Sequence, residues 1–101
     1  MIVQMSKYGR SLVTRMAGRA AYEEVSQIIA GSRTRVVFDF DGVDSITNSF
    51  ADEVFGHLVA DMGIEDLRAR TSFSGIGPFW ARVVRNVMDV RESDRANLVT
   101  C

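Results

Sequence analysis

Apolar residues recur along this chain with two different periods, and the switching between them predicts an α/β fold. Ile2–Met5 is a short apolar run suited to an edge strand. Lys7-Tyr8-Gly9-Arg10 then reads as a turn, and Leu12-Val13 either pairs back or leads into a helix. From about Met16 to Ala30 the spacing becomes helical: Ala17, Ala21, Val25, Ile28 and Ile29 share one face, while Arg19, Glu23, Glu24 and Gln27 fill the other. Gly31 follows the last apolar residue, where a helix-terminating glycine is expected.

Arg35–Phe40 is β-branched and aromatic, with apolar residues on both faces over its first half, as in a central strand covered on two sides. Asp41-Gly42 ends it, and Val43 and Ile46 punctuate the loop that follows. Ser49 opens a second helix, with Asp52 three residues on and Glu53 next. That spacing resembles a capping box with acids in the positive first turn. Phe50, Val54, Leu58 and Met62 form one stripe, flanked by Ala51, Phe55 and Val59, before Gly63 ends the helix. Arg68–Phe73 alternates weakly and reads as a further strand. Ser74–Pro78 is a turn, with Pro78 at the first position of a last helix that extends to about Val90. Trp80, Val83, Val84, Val87 and Met88 give that helix its apolar face, and residues 92–101 read as frayed. The expected architecture is one domain over residues 1–101, a small mixed sheet of about four strands packed with about three helices.

Composition narrows the class without changing this picture. With 101 residues, 47% hydrophobic, 25% charged and one Pro, the chain can bury one ordinary core. One cysteine, Cys101, cannot form an internal disulfide, and its position suggests an incidental thiol. No apolar stretch reaches the roughly 20 residues that span a bilayer. The formal net charge of −1 gives no global field for nucleic acid or an anionic membrane. A soluble, cytoplasmic domain is expected.

Charge is balanced in total but not along the chain. Residues 1–22 carry Lys7, Arg10, Arg15 and Arg19 and no acid, whereas Val36–Leu67 holds eight acids and no base. Either these segments neutralise each other on folding, or they leave an acidic face for a basic partner.

Asp39-Phe40-Asp41-Gly42 resembles the first motif of haloacid-dehalogenase-type phosphatases, in which two carboxylates converge on Mg²⁺ and a phosphate. That chemistry also needs a downstream Lys and a later acidic pair. The single Lys, Lys7, precedes the motif, Val43 replaces the family's Thr, and little chain follows Gly42. Asp-Gly turn chemistry is the simpler reading. His57, alone among histidines, lies four residues from both Glu53 and Asp61, which suits a solvated side chain better than a catalytic base or a multi-histidine metal site. Gly75-Ile76-Gly77 lacks the further Gly or Lys of a phosphate cradle. No catalytic residue, metal or cofactor is expected.

The block Asp39–Gly56 (DFDGVDSITNSFADEVFG) resembles the core of STAS-like bacterial domains, the fold of sulfate transporters and anti-sigma-factor antagonists, and is similar in particular to an uncharacterised STAS-like family. The likeness extends from the Thr14-Arg15 and Gly18 region through the last helix. In anti-sigma-factor antagonists the comparable loop reads Asp-Ser-Ser-Gly, and its second serine is phosphorylated. Here Thr47, Asn48, Ser49 and Phe50 occupy those four places, so only the serine is retained. The resemblance implies a non-enzymatic regulatory domain that binds a protein partner, either an anti-sigma factor or a histidine-kinase-type ATPase acting as a serine kinase. Ser49 and Thr47 are its phosphoacceptor candidates, and Asp41, Asp44, Asn48, Phe50, Asp52 and Glu53 its partner-binding residues. The competing expectation is a small Mg²⁺-dependent phosphatase or phosphotransfer domain using Asp39 and Asp41.

Overall fold

The computed structural model describes residues 1–100. Among them the chain forms five strands, a 3₁₀ turn (Met5–Tyr8) and four longer helical rods, one of them in three parts, with the strands in two separate sheets. The first sheet has the order β1 (Ile2–Gln4), β3 (Val36–Asp39), β5 (Thr71–Ser74), and both pairings are parallel. The second is a two-residue parallel ladder of β2 (Ser11–Leu12) and β4 (Ser45–Ile46). A single mixed sheet of about four strands is therefore corrected to two small parallel ones. Leu12 neither pairs back in a hairpin nor starts a helix, because both Leu12 and Ile46 are needed in the core.

β3 is central, as its apolar run predicts, but the sheet buries one face rather than two. Val3, Phe38 and Phe73 line up across the strands on the inner side, with Val36 and Phe40. On the outer side Ile2 is 63% exposed, and Gln4 and Ser74 face solvent. The rings of Phe38, Phe40, Phe55 and Phe73 pack edge-on or tilted at 5.2–6.1 Å between centroids. Such pairs add about 0.5–1.5 kcal/mol each to the burial of the rings.

Over this inner face lies the helical layer. α1 (Arg15–Gly31) buries Gly18, Ala21, Val25 and Ile29, close to the predicted stripe. Gly31 is its last residue and keeps negative φ, so it is no left-handed cap; Ser32 ends the helix with its N–H on the Ile29 carbonyl. The helix after β4 is one rod in three parts: α2 (Asn48–Ala51), a π-helical stretch (Asp52–Gly56) and α3 (His57–Met62). Gly63, at φ 86°, stops it as expected, since a residue with a Cβ resists that conformation.

Two expectations fail near the C-terminal half. Residues Ile64–Arg70 form α4, so the strand expected over Arg68–Phe73 begins only at Thr71. Glu65 and Asp66 in the first turn of α4, and Arg68 and Arg70 in its last, match the helix dipole and outweigh a weak alternation. α5 (Pro78–Thr100) starts at the predicted proline but continues past Val90. Its extension is held by side chains: Arg91 bonds Asp52, and Glu92 accepts from the Ile64 N–H at 3.1 Å. Cys101 lies outside the described residues. No helix is long and apolar enough to cross a membrane among the described residues.

Candidate functional site

The β2–β4 ladder carries the Arg10–Thr14 segment alongside Asp44–Thr47. The Asp44 N–H donates to the Arg10 carbonyl at 2.7 Å, and the Thr47 N–H to the Leu12 carbonyl at 3.0 Å. Two helix starts are thereby set side by side. Thr14 caps α1 by accepting from the Ala17 N–H at 3.0 Å, and Thr47 caps α2 by accepting from the Phe50 N–H at 3.3 Å. The Thr47 hydroxyl in turn donates to the Val13 carbonyl at 3.0 Å, which joins the two starts.

Thr47 therefore holds the capping position expected of Ser49, and no Ser49–Asp52 capping box forms. The helix begins two residues earlier than the polar pattern suggested because Ile46 must stay in the ladder and Phe50 must reach the core. Asn48 is exposed, and Ser49 is half-buried with a hydroxyl that makes no hydrogen bond among the described residues. Phe50 is fully buried, so it offers no surface to a partner; its expected role is corrected to core packing.

Asp52 and Glu53 also look inward more than outward. Arg91 donates to both Asp52 oxygens, from Nε at 2.7 Å and Nη2 at 2.9 Å. Arg15 Nη1 reaches Asp52 at 3.4 Å and Glu53 at 3.3 Å. The Arg91 hydrogen bond, outweighing the cost of partial burial, holds the Asp52 carboxyl below its ordinary range. Glu53 packs over α1 at Gly18, where an added Cβ would stand 2.8 Å from the Glu53 Cβ. These two acids brace the helices that carry the site, and the π-helical stretch begins at Asp52 itself.

Most of the acidic run finds a partner within the fold. Asp44 meets Arg10 Nε at 3.2 Å, Asp66 meets Arg70, and Asp61 accepts from the Tyr22 hydroxyl. His57 stacks on Tyr22, with ring centroids 3.8 Å apart and planes 2° from parallel. Arginines thus neutralise four of the eight acids, Asp44, Asp52, Glu53 and Asp66, which breaks up an acidic face over the whole run but leaves part of it unpaired among the described residues. Asp39 and Asp41 form no ion pair among the described residues. Asp39 Oδ1 accepts from the Asp41 N–H at 3.0 Å, and both carboxylates close on Gly75, where a Cβ would lie 2.9 and 2.8 Å from them. Lys7, the one lysine, is held by Glu24 at 2.6 Å. No cluster of three or more metal-ligating side chains occurs among the described residues.

Arg15 and Arg91 escaped the sequence reading. A signal for Arg91 was present: Val84, Val87, Met88 and Arg91 continue one helical stripe, so an arginine on that stripe should meet an acid.

The features define a small parallel α/β domain whose exposed polar helix start follows a short loop from the central strand. Residues 18–78 match the STAS-like domain of unknown function (DUF4325), and the chain belongs to that family. Neither a curated protein nor a solved structure matches it.

Proposed function

We propose that this chain is a non-enzymatic regulatory module that binds a protein partner through the start of α2, and that phosphorylation of Ser49 releases the partner. The observation that carries the reading is the inequality of two hydroxyls. The Thr47 hydroxyl is held twice by backbone groups, whereas that of Ser49 has no partner among the described residues and lies in the positive first turn. A phosphate on Ser49 would add about −1.5 to −2 charges where the helix dipole favours them. Asp41 and Asp44 on the loop before α2, and Asn48 at its first residue, are exposed, and on this reading they supply the contact. By likeness to anti-sigma-factor antagonists, the partner is an anti-sigma factor or a histidine-kinase-type ATPase.

The test mixes the protein with a histidine-kinase-type ATPase of the anti-sigma-factor class, maps phosphate by mass spectrometry and measures complex formation by calorimetry. Phosphate on Ser49 and a complex weakened about tenfold or more by Ser49→Asp are expected. No complex, no phosphate, or phosphate only at residues other than Ser49 overturns the proposal. The convergence of Asp39 and Asp41 favours a second reading, Mg²⁺-dependent phosphate chemistry. Hydrolysis of p-nitrophenyl phosphate that Asp39→Asn abolishes would put that reading in its place.

A further inference from the structure

β5 is an open edge. It ends the strand order β1-β3-β5, and the Ser74 carbonyl accepts from the Phe40 N–H on the β3 side at 2.9 Å. Backbone groups alternate sides along a strand, so the N–H and C=O of Phe73 point outward, away from the sheet. Beside this edge runs a groove of about 660 Å³ between β5 and α5, lined by Arg35, Arg68, Phe73, Ile76, Arg85 and Met88. Its floor is apolar: Phe73 is 36% exposed although its ring packs on Phe55. Its rim is cationic. Arg35 is fixed there by donating to the Thr71 and Arg68 carbonyls at 3.2 and 2.8 Å, neutral groups that leave its charge uncancelled. Arg68 and Arg85 are exposed and form no ion pair among the described residues.

We propose that this edge and groove are a second docking surface, which takes an extended acidic peptide segment of a partner protein as an added strand beside β5. The free edge asks for an extended backbone. Three guanidinium groups ask for carboxylates, and the apolar floor asks for a hydrophobic side chain at every second position. A second copy of this chain fits poorly. Pairing β5 with β5 would set Arg68 and Arg85 against their own kind, and the other edge, Met1–Met5, brings no acid. The surface lies apart from Ser49, so its failure would leave the helix-start reading standing.

The probe is a fluorescein-labelled peptide of alternating valine and glutamate, followed by anisotropy, with a lysine-for-glutamate version as control. Two further versions carry N-methyl groups on one edge each. Binding of the glutamate peptide, a shift of the Phe73 amide resonance, and loss on methylation of one edge only are expected. The double variant Arg68→Glu/Arg85→Glu should weaken binding about tenfold or more, with an unchanged circular dichroism spectrum. No binding of the glutamate peptide overturns the proposal, as does equal binding of the lysine peptide or equal loss on methylating either edge. Equal competition by free glutamate would mark a small-anion site and overturn it too.

Discussion

Arg91 grips the Asp52 carboxylate with two parallel hydrogen bonds, at 2.7 and 2.9 Å, and so fastens the last helix to the one that carries Ser49. Both side chains are largely shielded, at 32% and 25% exposure. Bidentate geometry and partial burial place the pair above an ordinary surface ion pair. Arg91→Ala should cost about 1 kcal/mol and lower Tm by about 5 °C in thermal denaturation at neutral pH. An unchanged Tm would show that the extension of α5 does not brace the site.

The same pair sets an acid dependence. The folded Asp52 carboxyl sits below its ordinary value of 3.8 because Arg91, and then Arg15, favour its charged form. Its contribution is therefore full above that value and is lost as pH falls through the lower folded pKa. Asp52→Asn removes this component. Denaturant midpoints for the wild type should fall more steeply than for the variant between about pH 5 and pH 2.

Two glycines of α1 should respond with opposite signs. Alanine in a helix normally gains about 0.5–1 kcal/mol over glycine. At Gly31 nothing lies within 4 Å of an added Cβ and φ is negative, so Gly31→Ala should stabilise by about that amount. At Gly18 the added Cβ meets the Glu53 Cβ at 2.8 Å and the Phe50 carbonyl at 3.3 Å. The two helices must then separate, and Gly18→Ala should destabilise by about 1–3 kcal/mol. Urea denaturation of the two variants decides it.

Local pattern carried the elements that bury a full face. Val25 and Ile29 in α1, Val36 and Phe38 in β3, and the Phe50–Met62 stripe were legible because one period ran far enough to be read. The parallel pairing of Ser11–Leu12 with Ser45–Ile46 was not, since two residues hold no period and the partners lie far apart in sequence. Ser49 was singled out at the right helix start, but its capping role belonged to Thr47. Capping chemistry tolerates Ser and Thr alike; the burial of Ile46 and Phe50, with the Val13 carbonyl placed by the ladder, selects Thr47. The likeness to the phosphorylation loop puts Phe50 on the surface, whereas its own stripe with Val54 and Leu58 points it inward, where it lies.

That assignment gives a direct test. Thr47→Ala removes the acceptor for the Phe50 N–H and the donor to the Val13 carbonyl, and should cost about 1–2 kcal/mol. Ser49→Ala removes a hydroxyl that bonds nothing among the described residues, and should stay within about 0.5 kcal/mol of wild type. Were Ser49 the true cap, chemical denaturation would rank the two variants the other way.

Both tyrosines donate to carboxylates, Tyr8 to Glu24 and Tyr22 to Asp61. The Asp61 hydrogen bond, followed by burial and the carboxylate's charge, pushes Tyr22 up to about 12. Burial first, and then Glu24, pushes Tyr8 higher still. A phenol whose folded pKa is raised favours the folded state below the ordinary value of 10, and that contribution is lost as pH climbs towards the folded value. Absorbance at the phenolate band should therefore show no ionisation step near pH 10 in the native protein, whereas both tyrosines should titrate there in urea. Asp61→Asn removes the charge and the strong acceptor from Tyr22, so one native step should move back towards pH 10 while Tyr8 stays high. A native titration at the ordinary value would mean that neither hydrogen bond forms in solution.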